Sequence, residues 1–406
     1  MQKYSIFICC LISLQINAQL LNDAYVLVNN KIYNRDGVWQ HSAMNDILPK
    51  DNTQDYSIDL SGNLLKFEYS LSYKKTDKKL KLNTLFTEFD INDNLSIKIG
   101  KFIENWQIGN SFNPLAVTDP YYNQSTLDGL PQNQMGINAF SINYVFDTGN
   151  SINFYKNYDN HDYDPVKGYG YHASAIRFNY VLTAESDLTL VAHKKKNKKT
   201  GFGSGIRTIV NDNLQTYGSF FIRQGTTKAT HLGVLNNNKN LIATNNPIGE
   251  HRKDDDKYYP RAMLGLQFTT GNNLDVIAEI SYDKRGMDNA EWDTYKALVN
   301  NHKMLNAPAD ANLAWDLSLA NDKAGLRQYY SFIRLEKTFD NYKFGFSCNI
   351  GQDLSALNRV KFHYDIGDNL EFITIFSHTT GKKDSEYESY FPYSNKFSIS
   401  LLYNFF

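Results

Sequence analysis

The chain has 406 residues, with 42 Lys and Arg against 43 Asp and Glu and a formal net charge of -1, a balance that supplies no basic field for a nucleic-acid partner. Mean hydropathy is -0.49, and beyond the first 19 residues no apolar run reaches the ~18 positions a membrane-spanning helix requires. An aromatic content of 14%, with 28 Tyr and 25 Phe, excludes a disordered chain.

The amino-terminal stretch reads as an address. Lys3 gives a positive start, Ile6 to Leu14 an apolar core, and Ile16-Asn17-Ala18 a small residue for cleavage before Gln19. The expected division is a signal peptide over 1–18 and one structural unit over 19–406. Cys9 and Cys10 fall inside the apolar core, so cleavage leaves Cys348 alone. An intramolecular disulfide is then excluded, and Cys348, alternating with Phe344 and Phe346, reads as a small residue on a strand.

From there the pattern has period 2. Leu65, Phe67, Tyr69, Leu71 and Tyr73 alternate with Lys66, Glu68, Ser70 and Ser72. Successive strand side chains point to opposite faces, so one face is apolar and the other polar. The same alternation recurs at Phe140 to Phe146, Leu274 to Tyr282, Tyr342 to Phe346 and Val360 to Ile366; Lys81 to Ile91 and Tyr329 to Phe339 are mixed. Turn signals stand at Ser61-Gly62-Asn63, Asn92-Asp93-Asn94, Asp147 to Asn150, Glu185-Ser186-Asp187, Asn211-Asp212-Asn213, Gly271-Asn272-Asn273, Asp340-Asn341 and Gly367-Asp368-Asn369. Between these hairpins lie connections of unequal length, the longest being 103–135, 225–259 and 286–326. Asp288 to Ala307 has helical composition with Asp288 as N-cap.

Tight turns alternating with long connections are the signature of a transmembrane barrel. The tight turns delimit sixteen strands; an opening strand at Ala24 to Tyr33 and a final one at Lys396 to Phe406 raise the expectation to 18. The expected fold is an all-β, antiparallel, up-and-down transmembrane β-barrel, 18 strands favoured and 16 the runner-up. A closed barrel pairs every backbone group without an edge, as hydrocarbon demands. Apolar faces then meet lipid, polar faces line a lumen, and aromatic residues near strand ends form girdles.

Two segments carry a family resemblance. The chain ends Phe397-Ser398-Ile399-Ser400-Leu401-Leu402-Tyr403-Asn404-Phe405-Phe406, which resembles the terminal strand of bacterial outer-membrane barrels; its alternation runs through Phe405, one position before the end. Ile99-Gly100-Lys101, Trp106-Gln107 and Ser111-Phe112-Asn113-Pro114-Leu115 are similar to a segment following an early strand in porin-like outer-membrane families, with Gln107 where Gly often follows Trp. With its Asn-, Lys- and Tyr-rich composition the chain resembles Gram-negative porin-like proteins of Bacteroidetes type. The resemblance implies an outer-membrane location, lipid and lipopolysaccharide as surroundings, small polar solutes as cargo, and insertion machinery that reads the last strand. A homotrimer is one assembly such barrels adopt, though no motif here marks it.

The residues add detail. Candidate pore-lining side chains are Lys66, Glu68, Lys98, Arg177, Asp275, Glu279, Lys343, Arg359, Lys361, Asp365 and Glu371. Both signs are present, which implies weak charge selectivity, since strong selectivity needs a ring of one sign. The connection around 103–135 is expected to fold inward as a constriction, with Trp106, Asn113, Asp119, Tyr121, Tyr122 and Asp128 as its candidate residues. The run His193 to Lys199 could meet lipopolysaccharide phosphates, and Asp254-Asp255-Asp256 has too little loop context for calcium. Neither a cofactor nor a metal site is expected. No Gly-x-Ser-x-Gly, P-loop or His-Glu-x-x-His occurs, so an enzyme is not expected. The reading is passive diffusion of small hydrophilic solutes. The alternatives are a surface binding or adhesion barrel acting through long loops, and a secreted soluble β-protein acting on polysaccharide.

Overall fold

The computed structural model describes residues 23–34, 52–64, 66–75, 78–106, 108–117, 136–158, 172–196, 199–225, 230–232, 250–252, 256–305, 326–390 and 393–404. The expected signal peptide lies outside them. In chain order the strands are β1 Asp23–Asn34, β2 Asn52–Leu64, β3 Phe67–Lys74, β4 Lys79–Asn92, β5 Leu95–Phe102, β6 Ile137–Val145, β7 Ser151–Asn157, β8 Ala173–Thr183, β9 Ser186–Lys195 and β10 Gly201–Asn211. They continue with β11 Leu214–Gln224, β12 Thr230–Leu232, β13 Glu250–Arg252, β14 Tyr258–Thr269, β15 Leu274–Asp283, β16 Tyr329–Thr338, β17 Tyr342–Gly351, β18 Ala356–Ile366, β19 Leu370–Thr380 and β20 Asn395–Asn404. β12 and β13 pair only with each other; the rest form one 18-stranded antiparallel sheet. It closes because β20 pairs with β19 on one side and with β1 on the other.

Alternation decides which face is which. On β20, Phe397, Ile399, Leu401 and Tyr403 are exposed, whereas Ser398, Ser400 and Leu402 are buried. The barrel's outside carries exposed aliphatic residues such as Leu264 at 62% and Ile280 at 58%, while Ser57, Asp59, Ser72, Ser347 and Ser377 are buried within. Exposed phenylalanines such as Phe220, Phe346 and Phe376 also occur in mid-strand, but the exposed tyrosines gather at two rims. Tyr144, Phe146, Tyr180, Phe339, Tyr342, Tyr364 and Tyr403 flank the short turns, with Phe339 stacked on Tyr342 at 4.4 Å. Tyr158, Tyr258 and Tyr329 mark the long-loop end.

The mixed strands have local causes. In β4 the register with β3 shifts between Ser70 and Leu71, so Asn83 is an extra residue facing Ser72, whose hydroxyl donates to Asn83 Oδ1 at 3.1 Å. Leu80 and Leu82 face outward before this bulge, Leu85 and Phe89 after it. In β16 the buried Phe332 faces inward and is followed by Ile333 and Leu335, which are exposed and face outward.

One expected turn is corrected. Ser61-Gly62-Asn63 lies within β2, and the chain reverses only between Leu64 and Phe67. Gly62 and Asn63 stay paired, opposite Tyr69 and Glu68, because the ladder has register partners to occupy them. The expected helix is present as α1, Asn289–Leu305. Glu291 N donates to Asp288 Oδ1 at 2.9 Å and Asp288 N to Glu291 Oε2 at 3.0 Å, a reciprocal capping box. No helix among the described residues is long and apolar enough to cross a membrane.

Candidate functional site

The inner surface is uneven because a segment of chain lies on it. After β5, residues 103–106 and 108–117 leave the sheet and pack on inward-facing side chains. Trp106, 2% exposed, meets Tyr155 of β7 edge-on at 6.3 Å, and the Arg177 guanidinium of β8 lies 5.1 Å from the Trp106 ring centre. Phe102, Tyr155, Ala175, Val191, Phe221 and Leu115 complete one buried cluster. The Asn113-Pro114 turn is local chemistry: Asn113 Oδ1 accepts from Leu115 N at 3.1 Å, and Asn113 Nδ2 donates to the Trp106 carbonyl at 3.3 Å.

Close approach to the wall needs a bare backbone, and β10 supplies it with Gly201-Phe202-Gly203-Ser204-Gly205. A Cβ on Gly203 would stand 2.6 Å from Leu115 Cδ2, and one on Gly205 2.1 Å from Ile108 Cδ1. Across the barrel wall, Glu279 of β15 holds the segment by its backbone. Its Oε1 accepts from Asn110 N at 2.6 Å and from Tyr217 OH at 2.7 Å; its Oε2 accepts from Ser111 N at 2.7 Å and from the Ser111 hydroxyl. A carboxylate only 3% exposed is thus satisfied by backbone and hydroxyl donors rather than by a cation.

Beyond this segment, toward the long-loop end, the inner face is basic. Arg261 and Arg223 lie 4.5 and 5.3 Å from the Phe221 ring centre. Arg223 also contacts the buried His193. Arg285, in the connection after β15, is held by Asp283 at 2.5 Å, and that carboxylate raises the guanidinium pKa above its ordinary value against the burial that lowers it. Lower on the wall, Lys98 pairs with Glu88 at 3.0 Å and Arg334 with Asp275 at 3.0 Å.

The sequence candidates distribute as follows. Lys66 does not lie on a strand: it occupies the exposed β2–β3 turn, because β2 runs on past the expected reversal. Glu68 is the second residue of β3 and is exposed. Lys98, Arg177, Asp275 and Glu279 share the inner face with the segment or its neighbours. Lys343, Arg359 and Lys361 follow the inward alternation of β17 and β18, and Asp365 stands opposite Glu371 on the β18–β19 hairpin. Trp106 and Asn113 belong to the docked segment; Asp119, Tyr121, Tyr122 and Asp128 lie outside the described residues, as do Asp254 and Asp255. His193, read as part of an outer basic run, is instead buried at 2% exposure beside Arg223. Sequence reasoning missed Tyr155, Tyr217 and Phe221, whose aromatic character reads as outward-facing, and the Gly-x-Gly-x-Gly of β10, which was the available signal.

No known family model matches the chain, and no curated protein sequence does. Solved structures do. OccAB1 of Acinetobacter baumannii aligns with a TM-score of 0.55 at 10% identity, covering 95% of this chain and 97% of that one. OccK8 (OprE) of Pseudomonas aeruginosa aligns at 0.54 and 8% identity, covering 94% and 97%. Wzi of Escherichia coli, an outer-membrane protein involved in group 1 capsule assembly and described as a carbohydrate-binding β-barrel, aligns at 0.50 and 9% identity, covering 97% and 86%. The chain therefore shares its architecture, a closed 18-stranded antiparallel barrel, with outer-membrane barrels over nearly its whole length.

Proposed function

We propose that the chain is a Gram-negative outer-membrane channel through which small hydrophilic solutes diffuse passively, with weak charge selectivity and no catalysis. The observation that carries this reading is the two-faced wall: exposed aliphatic side chains outside, bounded by aromatic rims, and buried polar side chains inside. An exposed apolar surface of this extent has no place in water. Between two aromatic rims it matches the lipid-facing band of an outer-membrane barrel. A barrel of this strand number leaves an aqueous lumen rather than a packed core.

In this reading the segment 103–117 narrows the lumen, and the charged residues around it set a weak preference among solutes. Export by the amino-terminal signal, insertion through β20 and contact with lipopolysaccharide belong to the same proposal, as does the Bacteroidetes-type kinship suggested by composition. A homotrimer is one assembly compatible with it. Liposome swelling tests the reading. Purified, folded protein is expected to admit small neutral sugars at rates that fall with solute size. Failure to admit any of them contradicts it.

A second reading, a binding barrel working through its loops, draws on the likeness to Wzi and on the built long-loop end. There Tyr387, Tyr393 and Leu357 form a buried cluster, and Arg327 lies 5.4 Å from the Trp292 ring of α1. Saturable binding of an oligosaccharide by a folded barrel that admits no solute would favour it.

A further inference from the structure

The β18–β19 hairpin reverses at Gly367 to Asn369, on the short-turn rim. His363 and Asp365 are two apart on β18 and so share its inner face, and Asp365 stands opposite Glu371 of β19. His363 Nε2 lies 2.9 Å from Asp365 Oδ1 and 3.1 Å from Glu371 Oε2. One ligand-type atom from each residue lies within 4.8 Å of the other two.

Two independent features set this trio apart from an ordinary histidine–carboxylate pair. First, His363 Nε2 is buried and makes no hydrogen bond, although both oxygens are at hydrogen-bond distance. Two carboxylate oxygens stand at hydrogen-bond distance from a nitrogen that completes a hydrogen bond to neither, unlike a charge-paired imidazolium. Second, Glu371 Oε1 is occupied: Asn404 Nδ2 of β20 donates to it at 3.1 Å, and it is the other oxygen, Oε2, that turns toward His363. An outer hydrogen bond that orients a carboxylate is the usual support of a metal ligand. Ligand atoms at about 2.1 Å from a cation stand about 3.0 Å apart along an octahedral edge and about 3.4 Å apart along a tetrahedral one. The two measured separations, 2.9 and 3.1 Å, match the octahedral edge.

We propose that His363, Asp365 and Glu371 form a site for one divalent cation of the zinc class, with an imidazole nitrogen and two carboxylate oxygens as ligands. The nitrogen donor favours borderline transition ions over calcium and magnesium, which prefer oxygen alone. A neutral imidazole with two carboxylates carries a charge matched to a divalent ion. The Asp365 side chain, 42% exposed, gives access from water, while Lys343, in register with His363 on β17, supplies the competing positive charge. Bound there, the ion ties β18 to β19 and, through Asn404, to β20 beside the closing seam.

The test is calorimetric titration of folded, full-length, chelator-treated protein in detergent with zinc chloride alone. Wild type is expected to bind one ion saturably. His363→Gln and Glu371→Gln are each expected to weaken binding by at least about tenfold, and Asn404→Ala, which touches no ligand atom of the site, to weaken it measurably. Copper(II) substituted at the site should show an electron paramagnetic resonance pattern of one coupled nitrogen, lost in His363→Gln. Should His363→Gln not fold, Asn404→Ala carries the test. Absence of saturable zinc binding by wild type overturns the proposal. So does zinc affinity unchanged in Asn404→Ala, or a nitrogen signal that survives in folded His363→Gln.

Discussion

Two stretches of the inner wall share one strand geometry and hold different things. From β5 to β15 the inward side chains include Phe102, Tyr155, Phe221 and Met263, interrupted by the glycines of β10, and a segment of chain lies against them. From β17 through the seam to β3 they include many small polar groups, Ser347, Asn349, Ser377, Ser398, Ser400, Asn29, Ser57 and Ser72, beside charged side chains and scattered apolar ones such as Ile373, Ile375 and Leu402. Ser398 Oγ donates to Asn29 Oδ1 at 2.9 Å across the closing seam. The outward faces of the two stretches are alike. The contrast teaches that docking within a barrel needs three things together: an apolar patch, a bare backbone where the segment comes closest, and an acceptor for its amides. The polar stretch has none of these in combination, and a water path is expected to run along it.

Removing the largest anchor should break the contrast most. Trp106→Ala is expected to cost the docked segment about 3–5 kcal/mol, the range for a large aromatic in a packed site. Hydrogen exchange of 103–117 reads the loss, and full retention of protection would contradict the packing account. Glu279→Ala removes the acceptor shared by Asn110 N, Ser111 N and Tyr217 OH, with an expected cost of about 3 kcal/mol. Gly205→Val overpacks the contact with Ile108 and should cost about 1–3 kcal/mol; limited proteolysis within 103–117 should quicken accordingly. On the opposite stretch, Ser400→Ala is expected to leave proteolysis of that segment unchanged, and an equal effect there would erase the distinction between the walls.

A subtler comparison concerns the long-loop end. Glu386 accepts from Leu326 N at 2.5 Å and Tyr330 OH at 2.7 Å, tying two connections together. Burial raises its pKa from an ordinary 4.5 to about 7. The folded state thus holds the proton more tightly than the unfolded one. Its stabilisation is complete below the unfolded value and declines as pH rises toward and through about 7. Protease resistance of this end should be greater at pH 5 than at pH 8, and Glu386→Gln should flatten the difference. An equal pH dependence in that variant would assign the effect elsewhere.

How much of this was legible in the sequence varied with the range of the interaction. Strand number followed from alternation and turn residues, which are local: Asn211 to Asn213 and Gly271 to Asn273 reverse the chain where their composition says so. Ser61 to Asn63 has the same composition and stays in a strand, because the ladder partner continued beyond it. Glu279 was recognisable as inward-facing by its parity on β15, but its partners Asn110 and Ser111 stand 169 and 168 residues away in the chain. Parity cannot name a partner that distant. Likewise His363, Asp365 and Glu371 show their shared face in the sequence, but the distances between their ligand atoms come only from the hairpin register. Inward aromatics such as Tyr155 and Phe221 were illegible for a different reason: apolar character marks the outward face over most of the wall, and these rings turn inward where the docked segment covers them.

The most direct test of the account is the single-channel conductance of wild type beside Glu279→Ala in a planar bilayer. Wild type is expected to form a steady ohmic channel with little preference for cation or anion, and the variant to conduct more, with fluctuations as the segment leaves the wall. A folded wild-type barrel that passes no current contradicts the channel, and a variant with unchanged conductance contradicts the constriction.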